Sequence, residues 1–173
     1  RVNSENVILL PNSRNLMPIA MQAAESSQKT VMVLSSTTIP EGIAAIIAFN
    51  RDLDLDSNIA DMEEALGSVR TGEVTEVVDE VNLDGIVLKA GQLIGMLDER
   101  LVTIGDRLTD VVVSVLREAE VSEGDLVTFY WGDGMTGDDT IEIVKNAGAA
   151  FPGVEVEAVN GGQSHCHVML SIE

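Results

Sequence analysis

The sequence has a single cysteine, Cys166, so no disulfide can form within the chain. This is typical of a protein from a reducing compartment. Aromatic residues make up only 3% of the chain, so its core has to be built from Val, Ile, Leu, Ala and Met. Basic residues are scarce too, and the formal net charge is −19. Such a charge repels nucleic-acid phosphates and anionic membrane surfaces, whereas it can steer a basic partner surface towards the chain.

Long apolar runs are also missing. The longest, such as Ile43–Phe49, are far too short to cross a bilayer. We therefore expect a cytoplasmic protein that neither binds nucleic acid nor inserts into a membrane. The sequence begins at Arg1 without a signal-like segment, so we interpret it as a piece of a longer polypeptide whose preceding part is unknown.

The first fifty residues alternate between strand and helix patterns. Val7–Leu10 and Thr30–Leu34 are continuous apolar runs, which predicts two strands buried on both faces. The second of them is expected to be a central strand. A strand, a helix and a strand this close together predict a right-handed βαβ unit with parallel strands. Pro40 begins a second, apolar helix.

Helix boundaries follow from capping residues. Asn12 or Ser13 is expected to cap the first helix, which runs to about Gln28 with Pro18 in its first turn. An amphipathic helix is predicted at roughly Ser57–Val69, after a polar, acidic boundary segment.

From Thr71 onwards the pattern becomes rich in strands. Turns are predicted at Asp84-Gly85, Ala90-Gly91 and Asp98-Glu99. The predicted strands are Val74–Val78, Val81–Leu88, Leu93–Leu97, Leu101–Ile104, Leu126–Trp131, Val154–Val159 and Val168–Ile172, and the predicted helices are Leu108–Ala119 and Asp138–Ala150. We divide the chain into a small βαβα lobe at 1–55, a connecting helix at 56–71 and a mixed-sheet α/β lobe at 72–173.

The segment Ser35–Thr38 is the first candidate site. It joins the end of a predicted parallel strand to the start of a helix, which is where open α/β sheets bind ligands and where helix N–H groups attract anions. The simpler interpretation, which we favour, is that the hydroxyls only cap the helix. Four consecutive hydroxyl residues are nevertheless more than one cap requires, so we expect the loop to contribute to a functional surface.

The acidic loop Trp131–Asp139 is the second candidate. Its carboxylates lack the spacing of a calcium loop, and no Glu stands where the last ligand should be. A turn followed by a capping box, with Thr136 as the cap and Asp139 three residues later, is the favoured interpretation.

The histidines near the C-terminus are the third candidate. On a strand, His165 and His167 would face one side and Cys166 the other. Two imidazoles without a third ligand do not make a zinc site, so we expect the histidines to be structural or to face a partner. A Cys–His nucleophilic pair is disfavoured for the same geometric reason.

Several stretches resemble the C-terminal domain of the A-type proteins of fatty acid kinase, a family also known as DAK-phosphatase or dihydroxyacetone-kinase-related proteins. These are Asn6–Asn15, Ile39–Ala45, Ala48–Asn50, Thr71–Thr75, Phe151–Val156 and Gly161–Gln163, in the family's order and over nearly the whole chain. One departure follows Gln163: the family pattern continues Pro-Leu-Tyr, whereas this chain has Ser164 to His167. That leaves open a change of partner or a metal site peculiar to this protein.

The resemblance implies a DegV-like (EDD-type) α/β fold, in which a small parallel βαβ lobe precedes a mixed-sheet lobe. It also implies a domain without catalytic residues or a cofactor of its own, which docks a DegV-like B subunit carrying a fatty acid. ATP and magnesium are expected in a kinase domain of the same polypeptide that phosphorylates the acyl carboxylate. A homodimer is left open. The expected ligand- or partner-binding residues are Asn12, Ser13, Arg14, Ser35, Ser36, Thr37, Thr38, Gly162, Gln163, His165 and His167.

Two other functions remain compatible with the residues. One is a domain with its own small-molecule or fatty-acid ligand at Ser35–Thr38, which a deep apolar tunnel opening at that loop would distinguish. The other is a metal-dependent enzyme using His165 and His167. The sequence contains no Walker loop, dinucleotide fingerprint, nucleophile elbow or HExxH motif, so nothing in it positively supports an enzyme.

Overall fold

Two units, divided between Val69 and Arg70, make up the computed structural model, which describes residues 3–83 and 85–173. In the first unit, β1 (Asn6–Leu9) pairs in parallel with β2 (Thr30–Val33), and α1 (Met17–Glu25) connects them. Two further helices follow, α2 (Ile39–Ala48) and α3 (Leu55–Ser68). The predicted parallel βαβ arrangement is thereby confirmed.

The start of α1 differs from the prediction. A short 3-10 turn, Arg14–Leu16, precedes the helix, and Ser13 makes no side-chain capping bond to it. Asn12 is in the left-handed conformation, with φ of 51°, and its backbone N–H bonds to Ser36 instead of starting a helix. The helix therefore begins at Met17, and it ends at Glu25 rather than near Gln28.

The prediction that β2 is a central strand, buried on both faces, is wrong. Within the described part of the chain, β2 pairs only with β1. Its residues alternate between exposed and half-buried, and Met32 is 38% exposed. A two-stranded sheet has no central strand, so a continuous apolar run here does not imply burial on both faces.

The core of the first unit lies where α2 and α3 pack together. Leu34, Ala45 and Met62 are buried there, surrounded by half-buried aliphatic residues of β1 and both helices. Asn58 of α3 is also buried, and its amide donates to the carbonyls of Asn50, Leu53 and Asp54. These bonds fix the polar segment between α2 and α3 as an ordered loop.

The second unit is built on a six-stranded mixed sheet. Its strands lie in the order β7–β6–β3–β10–β8–β9, all antiparallel except the parallel pair β8 and β9. Their bounds are β3 (Arg70–Glu76), β6 (Leu93–Leu97), β7 (Arg100–Gly105), β8 (Leu126–Trp131), β9 (Glu155–Asn160) and β10 (Val168–Ile172). The helices are α4 (Leu108–Glu118) and α5 (Gly137–Ala150), and α5 connects the two parallel strands.

Two predicted features of this unit need comment. The strand predicted at Val81–Leu88 is instead a separate hairpin of β4 (Val81–Leu83) and β5 (Ile86–Leu88). Of the turn predicted there, Asp84 lies outside the described residues, and Gly85 has φ of 88°. The predicted turn at Asp98-Glu99 is confirmed, since both residues have positive φ and join β6 to β7, as a two-residue hairpin turn requires.

One face of the large sheet packs against α4. Val111, Val115 and Leu116 of α4 are buried against Phe129 and Leu170 of the sheet. Glycines in the sheet permit this close approach, because an added Cβ on either Gly72 or Gly95 would collide with Val115. None of the helices in the described ranges is long and apolar enough to cross a membrane.

Candidate functional site

The hydroxyl-rich loop before α2 is engaged with its own helix. Thr38 is the N-cap residue, and its hydroxyl accepts a hydrogen bond from the Glu41 N–H. The Glu41 carboxylate accepts in return from the backbone N–H groups of Thr37 and Thr38 and from the Thr37 hydroxyl. This is a capping box, so the favoured structural interpretation of the loop is confirmed for Thr38.

Asn12 and Ser36 meet beside that cap. Ser36 is fully buried, and its Oγ accepts the Asn12 N–H at 3.0 Å. The Asn12 side chain occupies the space that a Cβ on Gly42 would need, while its Oδ1 is buried and accepts no hydrogen bond from the described residues. Sequence reasoning therefore named three residues that the structure brings together at the start of α2, Asn12, Ser36 and Thr38. Binding of a ligand by them stays a prediction.

Of the other expected residues of this unit, Arg14 is exposed and Ser13 is half-buried. Ser35 is exposed, and Ser13 and Arg14 lie at the start of the 3-10 turn.

The first unit contains an apolar groove. It has a volume of about 400 Å³ and is lined by Ile8, Leu10, Ile46, Phe49 and Met62, so it does not open at Ser35–Thr38. Large apolar side chains are also exposed on α2 and on the segment after it. Ile47 is 77% exposed, and Ile46, Phe49 and Leu53 are exposed as well. Exposed apolar side chains beside an apolar groove are a common feature of interaction sites.

The second unit has a separate site in the loop 161–167. This loop enters β10 and lies at the carboxyl ends of β3 and β8, which run antiparallel to β10. The Gln163 amide donates to the Tyr130 carbonyl at 2.7 Å, and the Thr75 hydroxyl donates to the His165 carbonyl at 3.0 Å. Backbone N–H groups of Asp133 and Gly132 donate to the carbonyls of Gln163 and His167. The loop is thus tied to both neighbouring strands.

Two glycines permit this loop conformation. Gly162 has φ of 64°, which favours glycine. Gly132 lies directly against the loop, because a Cβ there would collide with the carbonyl oxygens of Gln163 and Cys166. The predicted residues Gly162 and Gln163 therefore have a clear structural role in shaping the loop.

Glu73, His165 and Cys166 converge beside this loop. One ligand atom of each lies within 4.8 Å of the others, and within the described residues they form the one such cluster of three or more metal-ligating side chains. The expectation that Cys166 points away from His165 is wrong, because residues 165–167 precede β10, which begins at Val168, and the Cys166 sulfur lies within 4.8 Å of a His165 ring nitrogen.

Burial shapes the protonation of this cluster. Cys166 is only 6% exposed, and burial, together with the neighbouring Glu73 carboxylate, raises the pKa of its thiol to about 12. Burial also raises the pKa of Glu73, while the neighbouring His165 lowers it. A thiol with such a raised pKa is protonated at neutral pH and is a poor nucleophile. A Cys–His nucleophilic pair is therefore not supported.

His167 lines a cleft of about 250 Å³ together with His165, Cys166, Thr75 and Glu76. Its Nε2 is 3.9 Å from a Glu76 carboxylate oxygen. The two predicted histidines are therefore associated with different carboxylates, His165 with Glu73 and His167 with Glu76.

Sequence reasoning missed Glu73. The only hint of its role in the local sequence is that a charged residue lies inside a strand, on the same face as Thr71 and Thr75. The contact with Cys166 depends on the pairing of β3 with β10, which no local pattern reveals.

The acidic loop Trp131–Asp139 contains the predicted capping box. The Thr136 hydroxyl accepts from the Asp139 N–H, and the Asp139 carboxylate accepts from the Thr136 N–H at 2.9 Å. The favoured structural interpretation of this loop is confirmed.

The arrangement of a small parallel unit and a larger mixed sheet is that of DegV-family proteins. A DegV family protein of Corynebacterium glutamicum matches 97% of this chain and 74% of its own with a TM-score of 0.69 and 15% identity. The fatty acid kinase B3 protein of Streptococcus pneumoniae, solved with linoleic acid, matches 99% of this chain and 72% of its own with a TM-score of 0.67 and 10% identity. The dihydroxyacetone kinase of C. freundii matches 99% of this chain and 39% of its own, with a TM-score of 0.63 and 12% identity.

Comparison of sequences identifies the family, whereas the structural similarity shows the fold. The model of the family of C-terminal domains of A-like subunits of fatty acid kinase matches residues 1–173, and the chain belongs to that family. Protein YloV of Bacillus subtilis is 28% identical over 172 residues, which cover 99% of this chain and 31% of that protein. The chain thus spans about a third of the length of the curated relatives it matches, and it is a kinase-related domain.

Proposed function

We propose that this chain is a non-catalytic docking domain, which binds a fatty-acid-carrying DegV-like protein and presents it to a kinase domain of the same polypeptide. The kinase domain would use ATP and magnesium to phosphorylate the acyl carboxylate. The family match supports a role in a fatty acid kinase. The observation that carries the docking role is the exposed apolar surface of the first unit, around the groove lined by Ile46 and Phe49.

The composition of this surface fits a protein partner. Apolar side chains of α2 and of the segment after it form its centre, and the exposed carboxylates of Asp52, Asp54 and Asp56 flank Leu53. An apolar centre beside a polar rim is the usual composition of a protein interface. The acidic rim, together with the net charge of −19, favours a partner with a basic surface.

The same surface is poorly suited to a free fatty acid. The five residues lining the groove are all apolar, so their side chains offer no donor to a carboxylate. The nearby Thr37 hydroxyl already donates to the Glu41 carboxylate, and the Ser36 hydroxyl is fully buried. This engagement favours docking of a partner over the alternative that the domain holds its own fatty acid.

Binding of an acyl-loaded DegV-family protein from the same organism tests the proposal. Affinity is measured by calorimetry for the wild-type chain and for the Ile47→Glu variant. Ile47 follows the groove residue Ile46 and is 77% exposed, so the new carboxylate leaves the core of the domain intact but places a charge in the proposed contact. We expect a loss of affinity of about tenfold or more, which corresponds to roughly 1.4 kcal/mol.

Ile141→Glu is the matched control. Ile141 is a 66% exposed isoleucine on α5 of the second unit, so the variant makes the same chemical change at a similarly exposed position on a helix. It should bind as the wild type does. Equal losses in both variants, or no binding of the DegV-family protein by the wild-type chain, would contradict docking at this surface. Phosphorylation of a fatty acid or of dihydroxyacetone by the purified chain with ATP would contradict its non-catalytic role.

A further inference from the structure

We propose that Glu73, His165 and Cys166 form a binding site for a zinc-type transition-metal ion, with a fourth coordination position open to solvent. The expectation of no metal at the histidines rested on a missing third ligand and on a strand conformation at 165–167. The structure supplies Glu73 as a third ligand and a loop in place of the strand.

The spacing of the ligand atoms suits such an ion. The Glu73 carboxylate, a His165 ring nitrogen and the Cys166 sulfur lie within 4.8 Å of one another. Zinc binds these three ligand types at about 2.0–2.3 Å, so tetrahedral ligands lie roughly 3–4 Å apart. The three atoms, which lie within 4.8 Å of one another, are therefore already close to that separation.

The ligand chemistry selects the class of ion. A thiolate, an imidazole and a carboxylate together suit zinc and its neighbours, whereas magnesium and calcium require oxygen ligands. Metal binding displaces the proton of the Cys166 thiol, and the resulting thiolate and the Glu73 carboxylate carry two negative charges between them, which balance a divalent cation. Three protein ligands and one open position are the pattern of an exchangeable site rather than a closed structural one.

The backbone holds the ligands in place without the metal. The loop 163–167 is bonded to Tyr130, Gly132 and Asp133 on one side and to Val74 and Thr75 on the other. Glu73 lies on β3 between its pairing partners on β6 and β10, so the carboxylate is carried by an interior strand. A site on rigid elements loses little entropy when a ligand binds.

The position in the fold is also one where ligands bind. The loop lies at the carboxyl ends of β8 and β9, which are the parallel pair of the sheet and are connected by α5. Ligand sites of α/β sheets occur outside the carboxyl ends of such strands. This site belongs to the second unit alone, so it does not depend on the docking surface of the first unit.

Zinc titration of the chelator-treated 173-residue chain tests the proposal, with a chromophoric chelator as competitor. We expect one zinc ion per chain, and excess magnesium should not displace it. The variants His165→Ala, Cys166→Ser and Glu73→Gln should each bind zinc at least about tenfold more weakly. Even the removal of a residue that only supports a metal ligand lowers the metal affinity by that much. With cobalt in place of zinc, the thiolate-to-metal charge-transfer band should be absent in Cys166→Ser.

His167→Ala is the matched control, because it removes an imidazole from the same loop that is not among the three ligands. It should keep the affinity and the cobalt spectrum of the wild type. The proposal is overturned if the wild-type chain binds no zinc. It is equally overturned if His165→Ala, whose exposed side chain can be removed without disturbing the core, binds zinc as tightly as the wild type.

Discussion

Ser36 shows how a residue that looks like a ligand-binding group can serve the fold. Its side chain is fully buried, and its hydroxyl oxygen accepts the N–H of Asn12, 24 residues away in the chain. That N–H belongs to a residue in the left-handed conformation between β1 and the 3-10 turn, and the Ser36 hydroxyl is its acceptor. The hydroxyl therefore joins the end of β1 to the end of β2.

The variant Ser36→Ala should lower the free energy of unfolding by about 1–3 kcal/mol, because it leaves the Asn12 N–H without its acceptor. Urea unfolding followed by circular dichroism measures the change. Ser35→Ala is the control, since Ser35 is exposed, and it should stay within about 0.5 kcal/mol of the wild type. Equal stabilities of the two variants would contradict a structural role for the Ser36 hydroxyl.

At the scale of elements, two helices begin with the same motif, a capping box. Thr38 with Glu41 caps α2, and Thr136 with Asp139 caps α5. In each box the threonine hydroxyl accepts a backbone N–H, and the acidic side chain returns a bond to the N–H of the threonine. A reciprocal pair of this kind satisfies two of the N–H groups that a helix start leaves unpaired. Both helices therefore have an N-terminus set by local sequence.

The capping box of α5 predicts how the stability of the protein depends on pH. Hydrogen bonds from the Thr136 hydroxyl and N–H hold the pKa of Asp139 below its ordinary value of 3.8. A carboxylate with a lowered folded-state pKa stabilises the fold above its unfolded pKa, and this contribution is lost as the pH falls through the folded value. Asp139→Ala should therefore be less stable than the wild type at pH 7, and the difference should shrink below the ordinary pKa of 3.8.

Thermal melts between about pH 2 and pH 7 measure this difference. Asp138→Ala is the control, because Asp138 lies in the same first turn but makes no capping-box bond, and its effect should be smaller. Thr136→Ala removes the other half of the cap and should lower the free energy of unfolding by about 1 kcal/mol. A difference between wild type and Asp139→Ala that stays constant over the whole pH range would contradict the capping role of the carboxylate.

For the whole molecule, the dominant property is the excess of negative charge. With 29 acidic and 10 basic residues, most carboxylates have no cationic neighbour to pair with. Some do pair, as Asp98 does with Arg70 at 2.9 Å. A large net charge keeps a protein soluble but destabilises the compact state through self-repulsion.

The melting temperature should therefore rise with salt. Between about 10 mM and 1 M NaCl the screening length falls from roughly 30 Å to 3 Å, which removes repulsion between distant carboxylates. Scanning calorimetry at neutral pH measures the change, and an uncharged solute at equal osmolality serves as the control. A melting temperature that falls on adding salt would mean that attractive ion pairs outweigh the net repulsion.

The sequence by itself determined most of the elements and the class of fold. Local patterns predict β6, β8 and β10 with the bounds that the structure has, because each is a short apolar run between turn residues. They also predict the capping box of α5 and the turn at Asp98-Glu99. These features depend on interactions between residues close in the chain, so local patterns are sufficient to find them.

Only the tertiary structure decided what surrounds each element. The apolar run of β2 gave no sign that its sheet has two strands, because the number of neighbours is not a property of the strand. The bond between Thr75 and His165, 90 residues apart, and the meeting of Glu73 with Cys166 both follow from the register of β3 against β10. Strand pairing between distant segments is fixed by the packing of the whole sheet, and for that reason the metal-ligand cluster was not visible in the sequence.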